Sequence, residues 1–207
     1  MDSAFFDYND AVHTGPYKLI RTVEEYWEAV KADHFIGSAW CFEHPRRIES
    51  TELISYMGEV KVDYYGKEQI ENIDFQLKIP RIPWSLFNNG VIADFKRHTD
   101  IERILQIRYD VLAKEYVIVA PTSFKSSKVS IDYDFSDVPH HLKKVLEVHS
   151  HNTMPAYFSR IDDNDELVHG LYAVVGTLDT TPTIKLRVGM EGFFTEVPLD
   201  RLFDMEN

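Results

Sequence analysis

Residues 145–166, VLEVHSHNTMPAYFSRIDDNDE, contain His149, His151, Ser159 and Asp162 in the pattern H-x-H-x7-S-x-x-D. On a β-strand, side chains alternate between faces, so His149 and His151 fall on one face with their Cα atoms roughly 7 Å apart, close enough to share a cation. Asp162, returning after an irregular loop, supplies a third donor. Two neutral imidazoles and one carboxylate, with a fourth position left for water, form the ligand set of a catalytic zinc site. Part of the pattern has another reading, because Ser159-x-x-Asp162 also fits a capping box that opens a short helix over 163–169. Capping leaves the His-x-His unexplained.

The four positions resemble the motif of the JAMM (MPN+, JAB) zinc metallopeptidase family. That resemblance implies zinc held by His149, His151 and Asp162, with the Ser159 hydroxyl assisting the oxyanion. It also implies an upstream glutamate, near the start of an early strand, as general base. Its typical reaction is hydrolysis of a peptide or isopeptide bond after the tail of a ubiquitin-like protein. The wider wording, HSHNTMPAYFSRIDDNDE followed by LYAVVGTLD, also resembles the A-type proteins of the PRTRC cassette, a bacterial mobile-element gene set.

Three glutamates compete for the role of base. Glu147 lies two residues before His149 on the same face and is placed to brace an imidazole. Glu115 follows Lys114 in an expected turn and reads as a solvated charge. Glu102 stands at the mouth of an apolar hairpin, at a distance before the His-x-His similar to that in JAMM proteins, and is taken as the base. It is followed by Arg103-Ile104-Leu105 rather than the glycine-containing stretch of eukaryotic deubiquitinases. The implied partners are therefore a small sulfur-carrier-like or ubiquitin-like protein and, by analogy with the cassette, a ThiF-like activating protein. The competing class is a non-catalytic MPN-type interaction module.

Other zinc and hydrolase chemistries lack their spacings. There is no H-E-x-x-H, no G-x-S-x-G, and the single cysteine, Cys41, cannot supply the P-C-x-x-C of a nucleobase deaminase or a disulfide framework. A formal net charge of -12 over 207 residues argues against direct nucleic-acid binding. The acidic start MDSAFFDYNDAVHTG does not read as a secretory signal, and no apolar run approaches the roughly 18 residues of a membrane span. A cytoplasmic protein is expected.

The elements that must position these residues read as a mixed α/β chain. Thr22-x-x-Glu25 heads a helical stripe of Val23, Tyr26, Trp27 and Val30. Strands are expected at 39–42, at 60–65 with Gly58 and Gly66 in turns, and along the alternating Ile73, Phe75, Leu77 and Ile79. The two prolines of Lys78-Ile79-Pro80-Arg81-Ile82-Pro83 set a boundary, giving an α+β region at 1–80 and the metal-site domain at 81–207. Within the latter, Trp84, Phe87, Val91 and Phe95 recur at helical spacing. A hairpin over 104–120 follows, then a strand over 129–135 and a turn or short helix over 139–144. After the motif come strands at 171–178 and 184–188, and 193–197 pairs back across Gly192. The family resemblance adds a curved central sheet flanked by helices, of cytidine-deaminase-like architecture.

Overall fold

The computed structural model describes residues 37–41, 46–126 and 131–206. The helix expected over 22–30 lies outside them. The chain divides into two compact units, Met1–Lys78 and Ile79–Asn207. The architecture is mixed α/β, rich in sheet and with few helices among the described residues. None of those helices is long and apolar enough to cross a membrane.

The first unit contains a four-stranded antiparallel meander of β1 (Gly37–Cys41), β2 (Arg46–Ser50), β3 (Ile54–Val62) and β4 (Glu68–Leu77). Ile48, Ile54, Tyr56, Ile70, Ile73 and Phe75 are buried. Gly66 is in a turn with φ +81°, but Gly58, expected in another turn, lies inside β3. There the register slips, with Asn72 and Ile73 together opposing Gly58, and Asn72 takes the left-handed φ of 49°. A bulge of this kind shifts the inward face by one residue, so Ile70 and Ile73 are both buried although three apart.

The second unit is organised on a six-stranded sheet in the order β13-β12-β11-β10-β6-β7. β6 (Ile104–Asp110) and β7 (Glu115–Val119) form the expected hairpin, turning at Lys114 with φ 57°. β8 (Ser123–Ser126) and β9 (Ile131–Asp134) make a separate two-stranded ribbon. β10 (Leu142–Ser150) begins where a turn or short helix was expected over 139–144; only the residues before Leu142 turn. β11 (Gly170–Gly176) and β12 (Thr183–Met190) follow, and β13 (Phe193–Glu196) returns through Glu191 and Gly192, both at positive φ. Two successive positive φ values are what a two-residue hairpin with the sheet's twist requires.

All pairs in this sheet are antiparallel except β10 with β11. A parallel pair needs a crossover, and crevices in such sheets form beyond the carboxyl ends of the strands, where the connection leaves. Here residues 151–169 make that connection. β11 is buried throughout, as expected of a strand covered on both faces, and β10 is buried from Val145 to Ser150.

The helix expected from Pro83 runs through α1 (Trp84–Leu86), a π-helical turn (Phe87–Ile92) and α2 (Ala93–Lys96). Phe87, Val91, Ile92 and Phe95 are buried. A Cβ on Gly90 would come within 2.2 Å of Ile118 Cδ1, so a larger residue there would require the Ile118 side chain to move. Near the chain end, β14 (Phe203–Asp204) pairs in parallel with β5 (Ile82–Pro83), and Phe203 packs on Phe87 with ring centroids 4.6 Å apart. This closure fixes the start of the helix.

Candidate metal centre

His149 is the penultimate residue of β10, and His151 follows the strand's end while its N–H still donates to the Val175 carbonyl at 2.8 Å. The strand geometry therefore extends through both histidines. Their Nε2 atoms face each other at 3.3 Å, and both rings are buried. Beyond them the loop is pinned to the end of β11 by Thr177 N–H to the Met154 carbonyl, 2.7 Å, and Leu178 N–H to the Asn152 carbonyl, 2.8 Å. Gly176 is required there, because a Cβ would stand 2.2 Å from the Met154 carbonyl oxygen and 2.4 Å from the Ala156 nitrogen.

α3 (Arg160–Asp165) then carries Asp162 back over the histidines. The helix expected over 163–169 in fact starts three residues earlier and ends at Glu166, its C-cap. Ser159 is its N-cap. The Ser159 Oγ accepts from the Asp162 N–H at 3.3 Å, and Asp162 Oδ2 accepts from the Ser159 N–H at 2.5 Å. The capping box and the ligand pattern thus coexist: one Asp162 oxygen is spent on the cap, and the other, Oδ1, lies 3.4 Å from His149 Nε2. Donor atoms of His149, His151 and Asp162 all lie within 4.8 Å of one another, a buried group able to hold a metal ion.

The 3.3 and 3.4 Å separations are long for hydrogen bonds, which centre on about 2.9–3.0 Å for N–H donors. Burial pushes His149 down to about 4, against the opposing pull of Asp162, and it lowers His151 as well. Both imidazoles are then neutral near pH 7, the state that donates a lone pair to a metal. His151 Nδ1 is buried with no partner at hydrogen-bond geometry, although the Pro155 carbonyl is close enough to draw the ring's pKa upward.

Glu102 joins this group through sheet register. His149 pairs with Ile104 across β10 and β6, and Ser150 exchanges hydrogen bonds with Arg103, N–H to carbonyl and Oγ from N–H, both 2.9 Å. Glu102 lies two residues before Ile104, so by strand alternation its side chain falls on the face shared with Ile104 and His149. Glu102 is buried and, with Ile104, His149, His151, Ser159 and Asp162, lines a cavity of about 350 Å³. Burial, and secondarily the Asp162 charge, pushes its carboxyl up to about 7. A group poised there can both take and release a proton near neutrality.

The other two glutamates are placed differently. Glu147 does not brace an imidazole; it accepts from Gln106 Nε2 at 2.6 Å and Tyr133 Oη at 3.2 Å, with Lys144 Nζ at 3.5 Å. Glu115 is the exposed first residue of β7.

Sequence reasoning missed Arg187. The strand expected over 184–188 carries it with no role assigned, yet it is only 3% exposed. Only the tertiary structure supplies the covering: the Phe158 and Phe194 rings, 3.9 and 3.6 Å from its Cζ, and two carboxylates of the crossover. No protein-family model matches this sequence, and no curated protein matches it.

Proposed function

We propose that the Ile79–Asn207 unit is a zinc-dependent metallopeptidase of the JAMM kind. In this reading it hydrolyses a peptide or isopeptide bond after the tail of a ubiquitin-like or sulfur-carrier-like protein. The observation that carries the reading is the donor triad, with its edges of 3.3 and 3.4 Å, set beside a buried carboxyl on the same sheet face.

Bound at His149, His151 and Asp162, zinc would supply a Lewis acid that polarises the scissile carbonyl and makes water acidic enough to attack near neutral pH. The chain's own residues do the rest. Glu102, lining the cavity with both histidines, accepts the proton of the attacking water and delivers it to the departing amine. Ser159 Oγ uses a lone pair on the Asp162 N–H, so its own hydrogen remains to donate to the developing oxyanion. Burial lowers the pKa of both histidines and keeps them neutral near pH 7.

Metal analysis of the purified protein, followed by incubation with ubiquitin-like fusions, tests this. About one zinc per chain is expected, lost in His149→Ala and Asp162→Ala, together with fusion cleavage that a chelator abolishes. Full zinc content in both variants would refute the ligand assignment. A zinc-loaded protein that cleaved no fusion would refute the peptidase.

A further inference from the structure

α3 has only six residues, and none of them is buried. A helix this short does not persist through its own hydrogen bonds, and with no apolar face in the core it gains nothing from burial. It nevertheless carries Asp162, whose Oδ1 must stay within reach of the histidines. Something outside the helix has to hold it.

The capping box secures the first turn. The rest of the helix is gripped from the sheet by Arg187 of β12. Its Nη1 lies 2.6 Å from Asp163 Oδ1, and its Nε and Nη2 lie 2.8 and 2.7 Å from Glu166 Oε2. Asp163 and Glu166 stand three residues apart, so one guanidinium fork bridges the residue after the ligand and the helix C-cap. The fork is itself immobilised between the Phe158 and Phe194 faces. Phe158 in turn meets the His149 ring edge-on at 6.4 Å between centroids. On the sheet, Arg187 pairs with Tyr172 and Tyr172 with Glu147, which places Arg187 one side-chain row from the row of His149. Arg187 therefore touches the supports of two ligands, Asp162 and His149, while contacting neither directly.

We infer that Arg187 is a positioning residue for the metal centre: by clamping Asp163 and Glu166 it fixes α3, and with it the Asp162 carboxylate, at ligand distance from His149. This rests on the metal-centre reading. A lysine in its place keeps the charge but not the fork, so it holds one carboxylate at a time. Methionine keeps the packing volume between the rings and removes both ion pairs.

The test is zinc affinity by chelator competition in Arg187→Met, Arg187→Lys and Asp163→Asn, with His149→Ala as the reference for a lost ligand. Amide hydrogen exchange is followed on the metal-free proteins. Arg187→Met is expected to weaken zinc binding about 10- to 100-fold, the range for losing a partner that orients a ligand, and Arg187→Lys to recover part of it. Asp163→Asn, at a half-exposed carboxylate, cuts one arm without endangering the core and should weaken binding several-fold. In the metal-free protein, exchange at the Asp163 and Glu166 amides, which donate to the Ser159 and Asp162 carbonyls, should quicken while β10 and β11 amides keep their protection. Zinc affinity unchanged in Arg187→Met and Asp163→Asn but lost in His149→Ala would overturn the inference and leave the metal centre standing. Equal zinc binding by the parent and His149→Ala would sink the metal centre, and with it the inference as stated. Exchange would then show only whether Arg187 holds α3. If Arg187→Met does not fold, wild-type affinity and exchange in Asp163→Asn would overturn the inference alone.

Discussion

A carboxyl held near 7 beside two imidazoles held low gives opposite pH responses within one cavity. His149 titrates at about 4 when folded against an ordinary 6.5, so between those values the unfolded chain binds more protons and stability rises with pH. Glu102 titrates at about 7 when folded against 4.5, so across that window the folded chain binds more protons and stability falls as pH rises. The windows overlap and the two slopes offset each other. In metal-free protein, Glu102→Gln removes the falling arm, and the variant should gain more stability than the parent between pH 5 and 6.5. Urea unfolding in chelator at several pH values measures this; an equal or smaller gain would contradict the placement of Glu102. With zinc restored, the same substitution should leave the metal bound and reduce turnover about 100-fold or more, the loss expected for a general base. Retained turnover in Glu102→Gln with loss in Glu147→Gln would transfer the role to Glu147.

At the scale of the element, the parallel β10–β11 pair and its crossover decide where those residues meet. The H-x-H spacing and the Ser-x-x-Asp box were legible because each is a local rule, of strand alternation and of helix capping, and both rules operate in the structure. α3 starts three residues before the expected 163 because the capping box makes Ser159 the N-cap and Asp162 the third residue of the helix rather than the residue before it. Arg187 was not legible at all, since its burial depends on Phe158 and Phe194 from two other segments. Nor does the sequence reveal that Gly176 must lack a side chain where the crossover loop lies against the end of β11. Gly176→Ala would drive a methyl into backbone atoms 2.2–2.5 Å away, which cannot rotate aside as a side chain would. We expect it to cost about 1–3 kcal/mol, the range for overpacking, and to weaken zinc binding by displacing the loop between His151 and Ser159. Thermal melts with and without zinc report both effects; a variant with parental stability and affinity would show that the loop does not depend on this contact.

At the scale of the whole molecule, each of the two units buries apolar side chains of its own. In the first unit Ile48, Ile54, Ile73 and Phe75 are nearly inaccessible, and in the second so are Val148, Val174, Val188, Phe87 and Phe203. Mixed α/β character and most strands could be read from alternation and punctuation, whereas strand order could not, because it follows from long-range pairing that no local window contains. The bulge at Asn72 and the π-helical turn at Phe87–Ile92 escaped for the same reason, being adjustments of one element to its neighbours. Every residue given a role at the metal centre, from Glu102 to Arg187, lies within Ile79–Asn207. That unit also contains its own closing contact, the β5–β14 pairing that ties residues 82–83 to 203–204. A chain of residues 79–207 should therefore fold cooperatively, bind about one zinc, and melt at higher temperature with zinc than in chelator. A ligand that binds only the folded state adds about 2.7 kcal/mol at a hundredfold excess over its dissociation constant. Calorimetry of the fragment with and without zinc is the measurement. A broad, metal-independent transition would mean that the centre requires residues 1–78 to form.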